Sequence, residues 1–369
     1  MSAGLAAPVL VAEGVHVAYG GRPVLDVATF AVEPEEVLAV IGPNGAGKST
    51  LLRVLALLEA PVRGTVAFRG VVPGSARERL ALRRRMASVF QEPLLCDASV
   101  AANVRLPLSF RGVERAEADR RTRPWLERLG IAALADRPAH TLSGGEAQRT
   151  SLARAFAVDP EVLFLDEPFA ALDPPTREGL LDDLGRVLGD ARTTTLFVTH
   201  DRAEALRLGD RVAVVLEGRV AQVGAPAEVF GAPVDEAVAR FVGVENLVPG
   251  RVAGSRDGVV EVEVAGQRIL VAGAARVGDE ALVGLRPEDC SLEVPGPARL
   301  TSAQNRLDGV VRDVAPLGAI HRVVVECGIR LTAVVTRPAV ETLGLGPGVR
   351  VVVSFKATAA HLVRPVRRA

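Results

Sequence analysis

Near the start of the chain, Gly42-Pro43-Asn44-Gly45-Ala46-Gly47-Lys48-Ser49 carries the spacing GxxxxGK[ST], with Thr50 following. Glycines at these places let backbone N–H groups turn inward around a chain of phosphates, and a helix opening at the lysine adds partial positive charge. The Lys48 ammonium can then reach the outer phosphates, and the Ser49 hydroxyl can ligate a divalent cation. Farther on, Asp166 and Glu167 end an apolar run, Val162–Leu165. The first carboxylate is suited to holding Mg²⁺ and the second to orienting or deprotonating a water. The chemistry these residues share is nucleotide binding with attack of water on a phosphate. Lys48 and Lys356 are the only lysines among 44 cationic residues, so each survives where arginine is otherwise preferred.

A further segment, Leu142-Ser143-Gly144-Gly145-Glu146, continued by Gln148 and Arg149, resembles the LSGGQ/LSGGE signature of the ABC ATPase family. It lies between the phosphate loop and the Asp166-Glu167 pair, in that family's order, and can present a hydroxyl and N–H groups at a helix start. Under the resemblance, Tyr19, the only tyrosine, takes the place of the aromatic that stacks on adenine. Gln91 takes that of the glutamine touching Mg²⁺ or the attacking water. His200 stands as the switch histidine on the γ-phosphate. Asp173, in Ala171-Leu172-Asp173, belongs to the loop that crosses to a second subunit.

The resemblance covers about residues 8–240 and implies more than the residues say alone. The chain has one phosphate loop and one signature, so it implies a homodimer with ATP and Mg²⁺ between subunits. Ser143, Gly144, Gly145, Glu146 and Asp173 would then act in trans. It also implies two integral-membrane permease subunits, an extracytoplasmic substrate-binding protein acting through them, and a peripheral place on the cytoplasmic face of the cell (inner) membrane. Leu94–Phe110 corresponds to the segment that docks the permease's cytoplasmic helices.

Toward the C-terminus, Glu245-Asn246-Leu247 and Leu285-Arg286-Pro287-Glu288-Asp289 resemble accessory segments of importer ATPases. Ser302-Ala303-Gln304-Asn305-Arg306, Leu331-Thr332-Ala333 and Ser354-Phe355-Lys356-Ala357-Thr358 look like the molybdate/tungstate-binding domain. Ser302, Asn305 and Lys356 would supply the hydroxyl, amide and cation that a tetrahedral dianion wants. Gln304 stands where that family often carries arginine, with Arg306 nearby to compensate. The resemblance therefore implies uptake of an oxyanion, tungstate or molybdate, with sulfate, iron, sugar or polyamine as the alternatives.

These residues need a scaffold, and the hydrophobic pattern supplies one. Val37–Gly42 reads as a strand buried on both faces. It leads into a helix on which Leu51, Leu55 and Leu58, joined by Leu52, form one stripe. Alternating β runs and helical patterns over 8–240 predict an α/β P-loop ABC ATPase domain with a largely parallel sheet and a helical insertion over about 92–150. Beyond Phe241, short β runs separated by Gly, Pro and Asp predict a small all-β module over 241–369, an OB-like barrel, with the molybdate/tungstate-like part at about 300–366.

Composition narrows the class further. Lys+Arg and Asp+Glu both total 44, which argues against a nucleic-acid binder. Cys96, Cys290 and Cys327 have no CxxC spacing, so neither a disulfide frame nor a zinc site is expected. No run of about 18 apolar residues occurs, and the N-terminal segment lacks the basic n-region of a signal peptide. A soluble ATPase of the same type acting on DNA or ribosomes would call for tandem motors or a long coiled-coil insertion, and the sequence shows neither.

Overall fold

The computed structural model describes residues 7–296 and 301–364. The first six residues of the N-terminal segment, and residues 297–300 and 365–369 of the C-terminal region, lie outside them. One compact unit ends at Pro226 and a second begins at Ala227.

In the first unit, β1 (Leu10–Tyr19), β2 (Arg22–Val32) and β4 (Arg63–Phe68) form an antiparallel sheet in the order β2-β1-β4. The larger sheet contains β3 (Val37–Ile41), β5 (Met86–Val89), β6 (Val162–Asp166), β7 (Thr194–Thr199), β8 (Arg211–Leu216) and β9 (Arg219–Gly224), in the order β5-β6-β7-β3-β8-β9. All its pairings are parallel except β8 with the edge strand β9. Every residue of β3 is buried, as expected of a parallel strand covered on both faces.

After β3 the chain enters α1 (Lys48–Leu55), which buries Leu51, Leu52, Val54 and Leu55. The expected stripe stops there. Leu57 adopts φ +57°, the chain leaves the helical path, and Leu58 emerges 38% exposed. Next come α2 (Ala76–Arg83) and a helical stretch of α3 (Val100–Ser109), α4 (Arg115–Arg128) and α5 (Gly144–Phe156). Trp125 stacks on Phe156 with ring centroids 4.7 Å apart, joining α4 to α5. In Leu94–Phe110 the apolar residues divide. Val100, Val104 and Leu108 are buried, whereas Leu94 and Phe110 are exposed. α6 (Pro174–Ala191) and α7 (Arg202–Leu208) flank β7 in sequence.

The second unit is mainly β, in two five-stranded antiparallel sheets. One contains β10 (Asn246–Arg256), β11 (Val259–Val264), β12 (Gln267–Ala272) and β13 (Glu280–Leu285). The other contains β14 (Ser291–Glu293), β15 (Asn305–Leu317), β16 (Ile320–Glu326), β17 (Arg330–Thr336) and β18 (Arg350–Phe355). β19 (His361–Val363) completes the first sheet. The inner faces share one core that includes Val262, Val283, Val325 and Val353. The expectation of an all-β, OB-like module holds here.

The two sheets repeat one another. Their orders are β12-β11-β10-β13-β19 and β17-β16-β15-β18-β14, so each half lends the other its short last strand. Asn246 opposes Leu285 as Asn305 opposes Phe355, and Gly250 opposes Ala281 as Gly309 opposes Val351. Bulges fall at Val252/Gly254 and Val311/Asp313. Each strand-opening asparagine clamps the other half. Asn246 exchanges hydrogen bonds with the backbone of Thr332 at 2.9 and 2.7 Å. Asn305 does the same with Leu270 at 2.7 and 2.9 Å.

Burial also sorts the cysteines. Cys290 and Cys327 lie in the second core, where burial pushes their thiols up to about 12 and about 11. Cys96 is exposed. Only the thiolate reacts, so at neutral pH Cys96 alone should take up an aqueous thiol reagent, and all three cysteines should do so in denaturant. Mass spectrometry after limited labelling checks this, and rapid labelling of Cys290 in the native state would contradict the packing.

Candidate functional site

Between β3 and α1 the phosphate-loop residues are clasped by their neighbours. Gly47 has φ +98°, and a Cβ there would lie 2.8 Å from the Val24 carbonyl oxygen. A Cβ on Gly42 would lie 2.2 Å from the Val215 carbonyl oxygen. Only glycine fits this backbone approach. The Ala46 carbonyl accepts from the Gly218 N–H at 3.0 Å, which closes the clasp.

Lys48 is 5% exposed. Its Nζ donates to the carbonyls of Gly42 at 2.9 Å and Pro43 at 3.0 Å. Burial holds its pKa below the ordinary value, while the nearby charges of Glu167 and Asp166 oppose that fall. An ammonium placed so deep, on neutral oxygens, is stabilised further by an arriving anion.

The strand ends bring the remaining groups to the same edge. Ser49 Oγ donates to Asp166 Oδ1 at 2.8 Å. Burial raises the Asp166 pKa above the usual range. The Ser49 hydrogen bond pulls it back and the Glu167 charge pushes it up again. Glu167 has φ +47°, a strained value for a residue with a long side chain and common at active sites. Its N–H donates to the Val198 carbonyl at 3.0 Å, and its Oε2 lies 3.2 Å from His200 Nδ1. A cavity of about 350 Å³ is bordered by Asn44, Gly45, Lys48, Ser49, Gln91 and Glu167, with Thr50 also on its wall.

The Ser49 hydroxyl and the Asp166 carboxylate are oxygen donors in contact, a set that suits a hard cation such as Mg²⁺. Among the described residues no group of three His, Cys, Asp or Glu could hold a metal by itself. A cation here would draw its remaining ligands from phosphate oxygens and water.

Other expected residues stand apart from this cavity. Tyr19, at the end of β1, is 45% exposed, and its hydroxyl donates to Glu59 at 2.5 Å. Ser143 caps α5 in a reciprocal box: its Oγ accepts from Glu146 N at 3.3 Å, and its N–H donates to Glu146 Oε2 at 2.8 Å. Gly144 opens that helix and Gly145 packs tightly, since a Cβ there would sit 2.4 Å from the Thr176 methyl. Asp173 caps α6 by accepting from Thr176 N at 3.2 Å.

In the second unit, Ser302 and Lys356 are exposed, whereas Asn305 is buried with both ends of its amide engaged by Leu270. Arg306, the expected substitute for the arginine missing at Gln304, already has an anionic partner. Its guanidinium pairs with Glu293 at 3.1 and 3.3 Å, and the Ser354 hydroxyl donates to the same carboxylate at 2.8 Å.

Residues 25–170 match the family model described as ABC transporter, and residues 301–362 match the TOBE domain. A molybdate/tungstate import ATP-binding protein, WtpC, from Pyrococcus abyssi is 38% identical, over 90% of this chain and 93% of its own. An Fe(3+) ions import ATP-binding protein, FbpC, from Streptomyces coelicolor is 43% identical, over 66% of this chain and 69% of its own. Among solved structures, cbiO1 of Clostridium perfringens, part of the ABC transporter complex cbiONQ, superposes with TM-score 0.57 and 32% identity, over 64% of this chain and 95% of that one. A dimeric post-hydrolysis cassette bound to ADP and Pi, MJ0796, gives TM-score 0.54 and 28% identity over 59% and 98%.

The half-buried Asp166 charge opposes folding when no ligand is present, so Asp166→Asn should stabilise the free protein. Below the usual aspartate range the residue is protonated in both folded and unfolded states, and the penalty vanishes. The penalty grows as pH rises from that range through the raised folded value. Near pH 8 the variant should melt at the higher temperature, and the gap should close near pH 3. Thermal unfolding across pH checks the sign, and a lower midpoint at pH 8 would show that the carboxylate stabilises the fold.

Proposed function

The chain belongs to the ABC transporter ATP-binding family, and we propose from that premise that it is the motor of an importer, peripheral to the cytoplasmic face of the membrane. It hydrolyses ATP. The observation that carries the site reading is the meeting of two contacts beside Lys48: Ser49 with Asp166, and Glu167 with His200.

In that reading, ATP lies with its phosphates over the Gly42–Thr50 loop and its adenine against Tyr19. Lys48 offsets the charge of the outer phosphates. Ser49, Asp166 and Gln91 would hold Mg²⁺, which supplies further charge neutralisation when bound. Glu167 orients water and takes its proton as the water oxygen bonds to the γ-phosphorus. The bond to the bridging oxygen then breaks, leaving ADP and phosphate. His200 holds the Glu167 carboxylate and contacts the γ-phosphate. Ser143, Gly144, Gly145, Glu146 and Asp173 complete the partner copy's site in a homodimer closed by two-fold symmetry. Two permease subunits carry the substrate path and receive it from an extracytoplasmic binding protein. No helix among the described residues is long and apolar enough to cross a membrane, which is in keeping with a separate path. The domain limits that go with this reading are 8–240 for the motor and 241–369 for the accessory module.

For the cargo we favour tungstate or molybdate. Its support is the TOBE match over 301–362 and a WtpC relative aligned over 90% of the chain. The Fe(3+) importer relatives, aligned over 66% to 83% of the chain in the cases of Streptomyces coelicolor and Rhodococcus jostii, support ferric ion as the second reading.

Two expectations follow. Glu167→Gln should keep ATP binding and lower turnover by roughly 10²–10⁴, whereas Lys48→Ala should weaken nucleotide binding itself. Phosphate release and nucleotide titration decide it, and near-native turnover by Glu167→Gln would move the water to another residue. The full-length chain should bind tungstate or molybdate in preference to sulfate by calorimetry, and Lys356→Ala should weaken that binding. Silence at millimolar anion would leave the motor assignment standing and remove the oxyanion site.

A further inference from the structure

Behind His200 lies a charged network that the hydrolysis reading does not use. Glu204, in the first turn of α7, is only 3% exposed. A carboxylate so deep is costly unless paired, and Arg177 supplies the pairing. Arg177 Nε and Nη2 both donate to Glu204 Oε1, at 2.8 and 2.5 Å, and Nη2 also reaches Asp201 Oδ2 at 2.6 Å. The other Glu204 oxygen accepts from the Thr199 hydroxyl, which itself accepts from Asp201 N–H at 3.0 Å. Asp201 Oδ1 caps α7 through Ala203 N at 2.7 Å. Both chain neighbours of His200 are therefore tied to one guanidinium–carboxylate pair.

The far end of the network is the loop at Asp173. Arg177 sits in the first turn of α6, where its own N–H donates to the Asp173 carbonyl at 2.9 Å and Asp173 caps the helix. A continuous line of contacts runs from Asp173 through Arg177, Glu204 and Thr199 to His200, and on to Glu167 at 3.2 Å.

We propose that Arg177 is a positioning residue that carries the placement of the Asp173 loop to His200, so that hydrolysis depends on a loop that lines no part of the cavity. This rests on the reading of Glu167 and His200 as hydrolysis residues. The fork geometry is what makes arginine suitable: two oxygens of different side chains are held by one rigid plane. A carboxylate–histidine contact that drifts by about 1 Å can lose up to about a hundredfold in rate. Arg177 is not among the residues bordering the cavity, so its removal should leave ATP affinity alone and act on turnover.

The experiment is a double-mutant cycle on the full-length chain, reading kcat, KM for ATP and the melting midpoint. Arg177→Ala should lower kcat by roughly 10- to 100-fold with KM unchanged. In a His200→Ala background the same change should add little, because the step it serves is already lost. Arg177→Lys, which keeps the charge without the fork, should recover stability more than turnover. If Arg177→Ala does not fold, Thr199→Val replaces it in the same cycle, since it removes only the hydroxyl joined to Glu204. Losses that simply add, or equal recovery of stability and turnover by Arg177→Lys, would reduce the network to a structural ion pair and overturn the proposal. Native turnover by His200→Ala alone would instead overturn the reading of His200, and the proposal with it.

Discussion

In the parallel pairing of the central strands, Ile41 lies opposite Thr199 and Asp166 opposite Val198. That register makes β3, β6 and β7 finish at one edge, where the phosphate loop, the two carboxylates and His200 leave the sheet together. A slip by one residue would turn each side chain to the opposite face and separate Ser49 from Asp166 and Glu167 from His200. Strands buried on both faces set register weakly by hydrophobicity alone. Polar locks at their starts do it here. The Thr194 hydroxyl accepts from Glu35 N–H at 2.9 Å, Asp210 accepts from Val37 N–H at 2.9 Å, and Arg211 pairs with the buried Glu36 at 3.2 Å. Burial, the largest influence, raises the Glu36 pKa, so this lock carries a cost that precise strand placement offsets.

The residues assigned to the partner's nucleotide already have work within their own chain. Ser143 and Glu146 satisfy each other across the first turn of α5, and Asp173 satisfies the first turn of α6. Hydrogen bonds to Ser143, through its backbone first, hold Glu146 below the usual carboxylate range. Capping fixes the direction of the helix-start N–H groups before any anion arrives, which lowers the ordering cost of binding. The close seat of Gly145 on Thr176 joins the start of α5 to the start of α6. Movement of one therefore bears on the other, and through Arg177 on the strand that ends at His200.

Much of this site was legible because its chemistry is written in contiguous residues. The phosphate loop, the Asp166-Glu167 pair and the signature each declare themselves by spacing, and β3 by an unbroken apolar run. What escaped was set by approach in three dimensions. Leu58 continues the helical period of Leu51 and Leu55, yet a left-handed Leu57 ends the path. Gly145 read as an open N–H donor, and its packing against Thr176 lies 31 residues away by number, beyond any local pattern. Arg177 and Glu204 carry no signal in the sequence, because neither period nor propensity reveals that their side chains meet. Arg306 looked available until Glu293 was found beside it.

The repeat in the second unit had a signal that went unread: an asparagine followed four residues later by a glycine, at Asn246 and Gly250 and again at Asn305 and Gly309. Each asparagine engages the opposite half through both ends of its amide, so it serves the scaffold first. The repeated positions differ in what surrounds their cations. Arg286 follows β13 as Lys356 follows β18. Arg286 Nη2 donates to the Phe230 carbonyl at 2.7 Å, and its Nη1 lies 3.5 Å from the Glu288 carboxylate. Lys356 is exposed. An arginine fork is suited to gathering fixed carbonyls, whereas a lysine on a flexible stem is a point charge suited to a mobile anion. In a chain that uses arginine almost everywhere else, an exposed Lys356 suits the proposed anion site better than Asn305, whose amide is already engaged by Leu270.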